Sequence, residues 1–486
     1  MTLRVPAVFG LACLLPGRAL PSPGGVQVGE TPTISTHLIH SDIVDGTVLK
    51  KEALRLGRVL FEAKFNRLDG QGRPAATGNG VPTARTPDEP AFIRTSGPEA
   101  GSCFACHNEP RSGGGGDFVA NVFVLAQVLD PVTFSVGPGS SDERNSLGMF
   151  GAGLIELLGR EMTSDLLQVR ASAIAQAQTS GSPVTLPLDT KGVNFGSITG
   201  NPDGSVDASA VVGVNADLIL RPFHQKGVVR SIREFTVNAM NHHHGMQAVE
   251  RFGVAQTGTN DFDQDGAIDE LTIGDITAAT LFQATLPMPG RRIPREPVRR
   301  DAAELGEVLF GNIGCASCHK PELTLNDPIF TEPYGLNPAG TFNDTTQTVG
   351  VDLTKAPCAK PRPRRNPNGT VTVRAFTDLK RHDLCDAAPI NSEQITFYCN
   401  EQVVQGGVPT NLFLTRKLWD VGNSAPYGHR GDLTTITDAI LMHGGEARST
   451  RDAFVALTQA ERDAIVEFLK TLQVLPEGSN EEIHRD

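Results

Sequence analysis

Residues Gly314–Leu325, GCASCHKPELTL, decide how the rest of the chain is read. They place two cysteines and a histidine within five residues: Cys315, Cys318 and His319. The arrangement recurs in Ser102–Pro110, SCFACHNEP, as Cys103, Cys106 and His107. C-x-x-C-H is the attachment signature of c-type haem. The two thiols, one turn apart, can add to the two vinyl groups of a haem, and the next residue then offers its imidazole to the iron. A zinc ribbon sets its two C-x-x-C pairs fifteen to twenty residues apart, whereas these pairs are separated by about two hundred. The sequence therefore predicts two covalently bound haem c groups, with His107 and His319 as proximal ligands.

The wider chain agrees with an exported redox protein. Covalent haem attachment points to the periplasm or the cell exterior. The N-terminal MTLRVPAVFGLACLLPGRALPSPGG has one early Arg, a short apolar run and then Pro and Gly, which reads as an export signal over residues 1–25. No apolar run is long enough to span a bilayer, so no integral membrane span is expected. A net charge of −12 argues against nucleic acid, because phosphate contacts need surplus Lys and Arg. The 51 Gly and 33 Pro imply long irregular segments.

Each motif follows an amphipathic stretch. LKKEALRLGRVLFEAKFNRLDG precedes the first, with Leu54, Val59, Leu60 and Phe61 at helical spacing. DAAELGEVLFGNIGCASCH contains the second, and Asp301 is placed to cap its helix. Both contain L-G-x-V-L-F, an internal repeat. Near the C-terminus, LTQAERDAIVEFLKTLQVLP predicts a closing helix with Thr458 as N-cap, Glu461 at the capping-box position and Ile465, Phe468 and Leu469 on its apolar face. The Pro/Arg-rich LPMPGRRIPREPVRR reads as a linker unable to hold a helix or a central strand. The expected fold is mainly α, with two cytochrome c-type domains carrying long irregular loops. Their expected boundaries are 26–285 for the haem 1 domain, 286–300 for the linker and 301–486 for the haem 2 domain. Segments 170–215 and 325–375 read as polar insertions.

With these motifs placed, the chain resembles the bacterial di-haem cytochrome c peroxidase superfamily, most closely its di-haem oxidoreductase branch. The resemblance covers most of residues 45–475. LGRVLFEAKF, SCFACH, MFGAGLIELL, FTDLKRHD and LWDVGNSAPYGHRGDLTTITDAILMHGGEA carry it. It implies one haem that relays electrons, a second that binds and cleaves hydrogen peroxide, and a small redox protein as electron donor. In such relatives the distal ligand of the second haem is a Met after the APY…HxG block. Here that position holds His443, with Met442 beside it. Imidazole is the stronger donor to ferric iron, so a His/His haem would sit at lower potential. For haem 1 the distal candidates are His244, within His242-His243-His244, and Met149.

Peroxide cleavage needs a proton carrier. Relatives use a Glu in the first domain, which brings Glu250, with His244 as its distal-pocket companion, and Glu234 into consideration. Relatives with a conducting Trp place it in the first domain, but the single Trp here is Trp419. NDFDQDGAIDELT sets Asp261, Asp263, Asp265 and Asp269 at positions 1, 3, 5 and 9 of a calcium loop with Gly266 at the turn; Thr272 stands where the closing Glu would be. Cys358, Cys385 and Cys399 leave Cys385–Cys399 or Cys358–Cys385 as the disulfide. His382-Asp383 reads as haem-edge structure. The expected function is an exported, peroxidase-like di-haem c-type oxidoreductase. A di-haem electron carrier without turnover, and an enzyme oxidising an organic or protein substrate, are the alternatives.

Overall fold

The computed structural model describes residues 29–72, 100–116, 119–123, 141–356, 359–386, 399, 401 and 404–485. The expected export segment and Cys358 lie outside them.

The repeat L-G-x-V-L-F has one structural meaning in both copies. In the helix Lys50–Glu62, Gly57 faces the helix Ile273–Ala284, and a Cβ there would collide with the carbonyl oxygen of Ala278. In the helix Pro297–Asn312, Gly306 faces Gln459–Lys470 and would collide in the same way with Ala464. The glycine therefore lets two helices approach backbone to backbone. The repeat's phenylalanine comes next. Phe61 lies 5.4 Å from Phe282 and 6.4 Å from His107, ring to ring. Phe310 lies 5.4 Å from Phe468 and 6.4 Å from His319. Each unit is thus an entry helix, a motif turn and a closing helix, joined by one glycine and one aromatic pair. Both closing helices start with a capping box, Thr272/Asp275 and Thr458/Glu461.

Alanine normally stabilises a helix by about 1 kcal/mol over glycine. At Gly57 the sign should reverse: Gly57→Ala is expected to cost about 1–3 kcal/mol through overpacking. A thermal melt against the parent checks it.

The mainly α expectation is corrected. Helix takes 35% of the chain and strand 15%. Several of the strands lie in the segments read as insertions, where polar residues alternate with apolar ones that find partners far away. The helix Ala152–Ser180 runs well past the apolar GLIELL; beyond Leu166 it buries only Ala173 and Ala177, which left little periodicity to read there. Val184–Thr190, Val193–Gly200 and Val206–Asp207 form an antiparallel sheet, with Leu186 opposite Ile198. Ile329–Glu332 pairs with Val349–Asp352, Leu323–Leu325 with Val371–Val373, and Arg381–Asp383 with Leu412–Leu414, all antiparallel.

The Pro/Arg-rich segment also differs from expectation. Gly290–Ile293 is the central strand of a three-stranded sheet, between Leu472–Gln473 and Ile483–Arg485. The following helix begins at Pro297, a position where a missing N–H costs nothing. Asp301 therefore sits inside that helix rather than capping it. One hydrophobic cluster joins the first entry and closing helices to Leu325, Phe330, Val351 and Val373 from beyond residue 300. A second gathers Phe310, Phe376, Phe454 and Phe468 beside Cys315.

Candidate functional site

Both motifs form a single tight turn. Cys103–Ala105 and Cys315–Ser317 are 3-10 turns, and the histidine N–H then bonds back to the first cysteine carbonyl, 2.9 Å for His107 to Cys103 and 3.0 Å for His319 to Cys315. This brings two sulfurs and one imidazole to the same side of the backbone. None of the four cysteines is in a disulfide. Burial pushes the thiols of Cys103 and Cys315 up to about 12, so they stay protonated.

Four histidines share one orientation. Nδ1 meets a backbone carbonyl in each: His107 with Gly114 at 3.3 Å, His319 with Phe376 at 3.0 Å, His244 with Ala100 at 2.8 Å and His443 with Ala439 at 2.8 Å. A carbonyl only accepts, so Nδ1 carries the hydrogen and Nε2 carries the lone pair. Burial holds His107, His244 and His319 down to about 4, and lowers His443 as well. All four are neutral imidazoles at neutral pH, the form that binds metal.

In the second unit two of these rings are neighbours in an edge-on arrangement. The centroids of His319 and His443 are 6.4 Å apart, inclined at 61°. Two metal–imidazole bonds of about 2.0 Å, plus a ring half-width of about 1.2 Å on each side, give roughly that separation. His443 reaches this position because the helix Ile436–Leu441 ends at Met442 and turns the chain inward.

In the first unit the motif opens into a cavity of about 510 Å³ lined by Cys103, Cys106, His107, Met149, His243 and His244. His244 Nε2 lies 3.3 Å from Cys103 Sγ. Both distal candidates, His244 and Met149, therefore reach the cavity wall. His242 is buried but is not part of that wall. The histidines end the helix Ile232–His244, which Gly245 stops with φ 66°; successive residues point about 100° apart, so the three cannot share one target.

Glu250 is not brought to the cavity. After the Gly245 turn the chain reverses, and Glu250 accepts from Arg233 Nε at 2.9 Å and from the Phe342 N–H at 2.5 Å. Arg233 also reaches Glu332 at 3.1 Å, in a fully buried cluster. Glu234 is likewise engaged, accepting from the Arg230 N–H at 2.9 Å. A nearby charge that must be neutralised claimed both carboxylates, and single-sequence spacing carries no sign of that. Trp419 packs its ring against Gly151, two residues from Met149. The preceding residues Leu414–Lys417 line the cavity, while Leu418 packs beside Cys315 and Phe376. Residues 414–419 therefore run from one histidine site to the other.

Carboxylate oxygens of Asp261, Asp263 and Asp265 lie within 4.8 Å of one another, and Gly266 takes φ 95°. Asp269 is not in that group; its backbone N–H bonds to Asn260 instead. Thr272 is the N-cap of the next helix. The disulfide joins Cys385 to Cys399. His382 lies near Cys318; burial opposes its charge, but contacts with Asp378 at 2.9 Å and Glu446 at 2.7 Å raise it to about 11. Sequence reasoning missed His224, Arg416 and Lys417 on the cavity wall. The first closing helix was also missed, although its Thr272-x-x-Asp275 box was legible.

These features fit haem at both sites: thiols outside disulfides, neutral imidazoles with the lone pair on Nε2, a cavity beside them at the first motif and a second imidazole beside His319 at the second. Residues 369–472 match the family model described as "Di-haem oxidoreductase, putative peroxidase". Cytochrome-c peroxidase IdrP2 of Denitromonas iodatirespirans is 26% identical over 171 residues, which is 35% of this chain and 39% of that protein. The chain thus matches about two-fifths of that relative's length. A hydrazine synthase structure from Kuenenia stuttgartiensis, pressurised with xenon, aligns over 94% of this chain and 99% of its own with 13% identity and a TM-score of 0.37, too low to carry an inference. No helix among the described residues is long and apolar enough to cross a membrane. The resemblance read from the motifs is thereby borne out: residues 369–472 are similar to the di-haem oxidoreductase family, which supports an oxidoreductase with haem cofactors.

Proposed function

We propose that this protein is an exported di-haem c-type enzyme of peroxidase type, reducing hydrogen peroxide with electrons from a small redox protein. The observation that carries the reading is the pair of His319 and His443 rings, 6.4 Å apart beside an unoxidised C-x-x-C turn, together with the second such turn opening into a cavity. Cys103, Cys106, Cys315 and Cys318 hold the haems, and His107 and His319 are the proximal ligands. Haem supplies one-electron transfer and, where its distal side can open, peroxide binding and cleavage.

His443 would hold the haem 2 iron from the side away from His319, and His244 or Met149 would do so at haem 1. The Phe376 carbonyl fixes the His319 ring by accepting its Nδ1 hydrogen. With Glu250 and Glu234 engaged elsewhere, His243 on the cavity wall becomes the group to move a proton. Residues 26–285 and 301–486 are the two haem units. Calcium at Asp261, Asp263 and Asp265 belongs to the same proposal.

The shared orientation of His107, His244, His319 and His443, each with its Nε2 lone pair available, favours a second reading. If His244 and His443 both ligate, neither iron has an open side and the protein is an electron carrier. Spectra of oxidised and half-reduced protein, with a peroxide assay, separate the two. An enzyme shows a high-spin haem on half-reduction and consumes peroxide; a carrier stays low-spin and does not. Independently, His443→Ala should convert haem 2 from low-spin to high-spin while the mass still reports two haems. An unchanged low-spin signal would remove His443 from the iron.

A further inference from the structure

The charge on the cavity wall is unusual for this chain. The protein carries a net charge of −12, yet among the described residues no Asp or Glu lines the cavity, while Arg144, Arg416 and Lys417 do. Arg144 already has a counter-ion, Glu401, at 2.6 Å. Arg416 and Lys417 have none among the described residues. Arg416 donates only to the His224 carbonyl at 3.3 Å, and its Nε is buried without a hydrogen bond. Lys417 donates to the Gly148 carbonyl at 2.5 Å. Burial alone pushes Arg416 down to about 10, and burial followed by repulsion from Arg416 pushes Lys417 down to about 7. Asp420 is near enough to be felt by Lys417 but outside ion-pair reach; burial raises it to about 7. Two adjacent cations held out of water without an anion are costly unless a ligand brings one.

We propose that Arg416 and Lys417 receive the two propionate carboxylates of haem 1. This rests on the haem reading above and assigns residues it did not. The chemistry is carboxylate recognition. Arginine offers a planar fork suited to a carboxylate, and lysine a compact charge beside it. The neighbouring positions set two cations side by side on one wall, matching two carboxylates carried side by side on one edge of the macrocycle. Their order in the chain also ties that edge to residues 414–419, the segment that continues to haem 2.

The test uses the full holoprotein made in a host with haem-ligation machinery. Arg416→Leu with Lys417→Met removes both charges at similar volume. A cation beside a haem favours the reduced form, so its loss should raise the oxidised-to-reduced ratio of haem 1 about tenfold at fixed potential, about 59 mV for a one-electron couple. Haem 2 should not shift and serves as the internal reference. Arg416→Lys, which keeps the charge, should restore most of the parental ratio. The single variants Arg416→Gln and Lys417→Gln give the same reading at smaller amplitude should the double variant not accumulate. Two attached haems with an unchanged haem 1 ratio overturn this inference and leave the functional reading standing. Unchanged haem ratios with weakened azide binding overturn it too, by giving the cations to a small anion. A chain whose mass shows no attached haem overturns both.

Discussion

Changing Cys315 and Cys318 together to alanine should halve the covalently attached haem, from two equivalents per chain to one. Cys103 and Cys106 changed together should do the same at the other motif. The argument is local and strong. Thioether attachment needs each sulfur within a turn of the ligand histidine, and no other cysteine pair among the described residues has that geometry. Denaturing mass spectrometry counts the haems directly. The two losses should differ once the protein is kept native. Site 1 is a cavity of about 510 Å³ with His107 and His244 inside it, so it can retain an unattached haem through coordination and burial. Site 2 has the neighbouring His319 and His443 rings and an aromatic floor of Phe310, Phe376 and Phe468. Loss there should also loosen that floor, seen as a lower melting temperature. If both double variants keep two covalent haems, the attachment assignment is wrong.

The second large effect lies away from the haems. Arg233 is fully buried and holds Glu250 at 2.9 Å and Glu332 at 3.1 Å, both buried. Arg160 adds Glu156 and, at 3.8 Å, Glu332. Three carboxylates thus share two guanidinium groups. Arg233→Met should cost about 3–5 kcal/mol at pH 8, because it strands two buried charges. The pH dependence has a definite sign. Burial raises Glu332 to about 7 in the folded protein, above its ordinary 4.5. Its proton is therefore bound more tightly in the folded state, and the associated stability is complete below pH 4.5 and lost as pH rises through 7. The penalty of Arg233→Met should shrink between pH 8 and pH 5.5, as Glu332 becomes neutral. Glu332→Gln, which needs no proton, should flatten that dependence in the parent background. Chemical denaturation at the two pH values measures both. A penalty that is equal at pH 5.5 and pH 8 would show that the cluster does not titrate.

The partners of these carboxylates were not legible in the sequence. Glu250 lies six residues beyond His244, which is near enough in the chain to suggest a shared pocket. Its actual partners are Arg233, Phe342 and the surroundings of Glu332, drawn from three separate segments. Burial of a charge is decided by what arrives opposite it, and spacing does not contain that information. The strands follow the same logic. Gly290–Ile293 looked unable to hold a central strand, yet its two partners, at 472–473 and 483–485, arrive from the far end of the chain.

What the sequence by itself determined is local. The two C-x-x-C-H turns, the glycine and phenylalanine of each L-G-x-V-L-F helix and the Thr458/Glu461 box all act within one or two turns of backbone, where residue spacing fixes geometry. Only the tertiary structure decided which groups meet across the chain: His443 beside His319, His244 and Met149 in one cavity with His107, and Arg416 and Lys417 on a wall without acids among the described residues. Those meetings depend on how buried surfaces close over long loops, a balance of packing and charge that no short stretch of residues records.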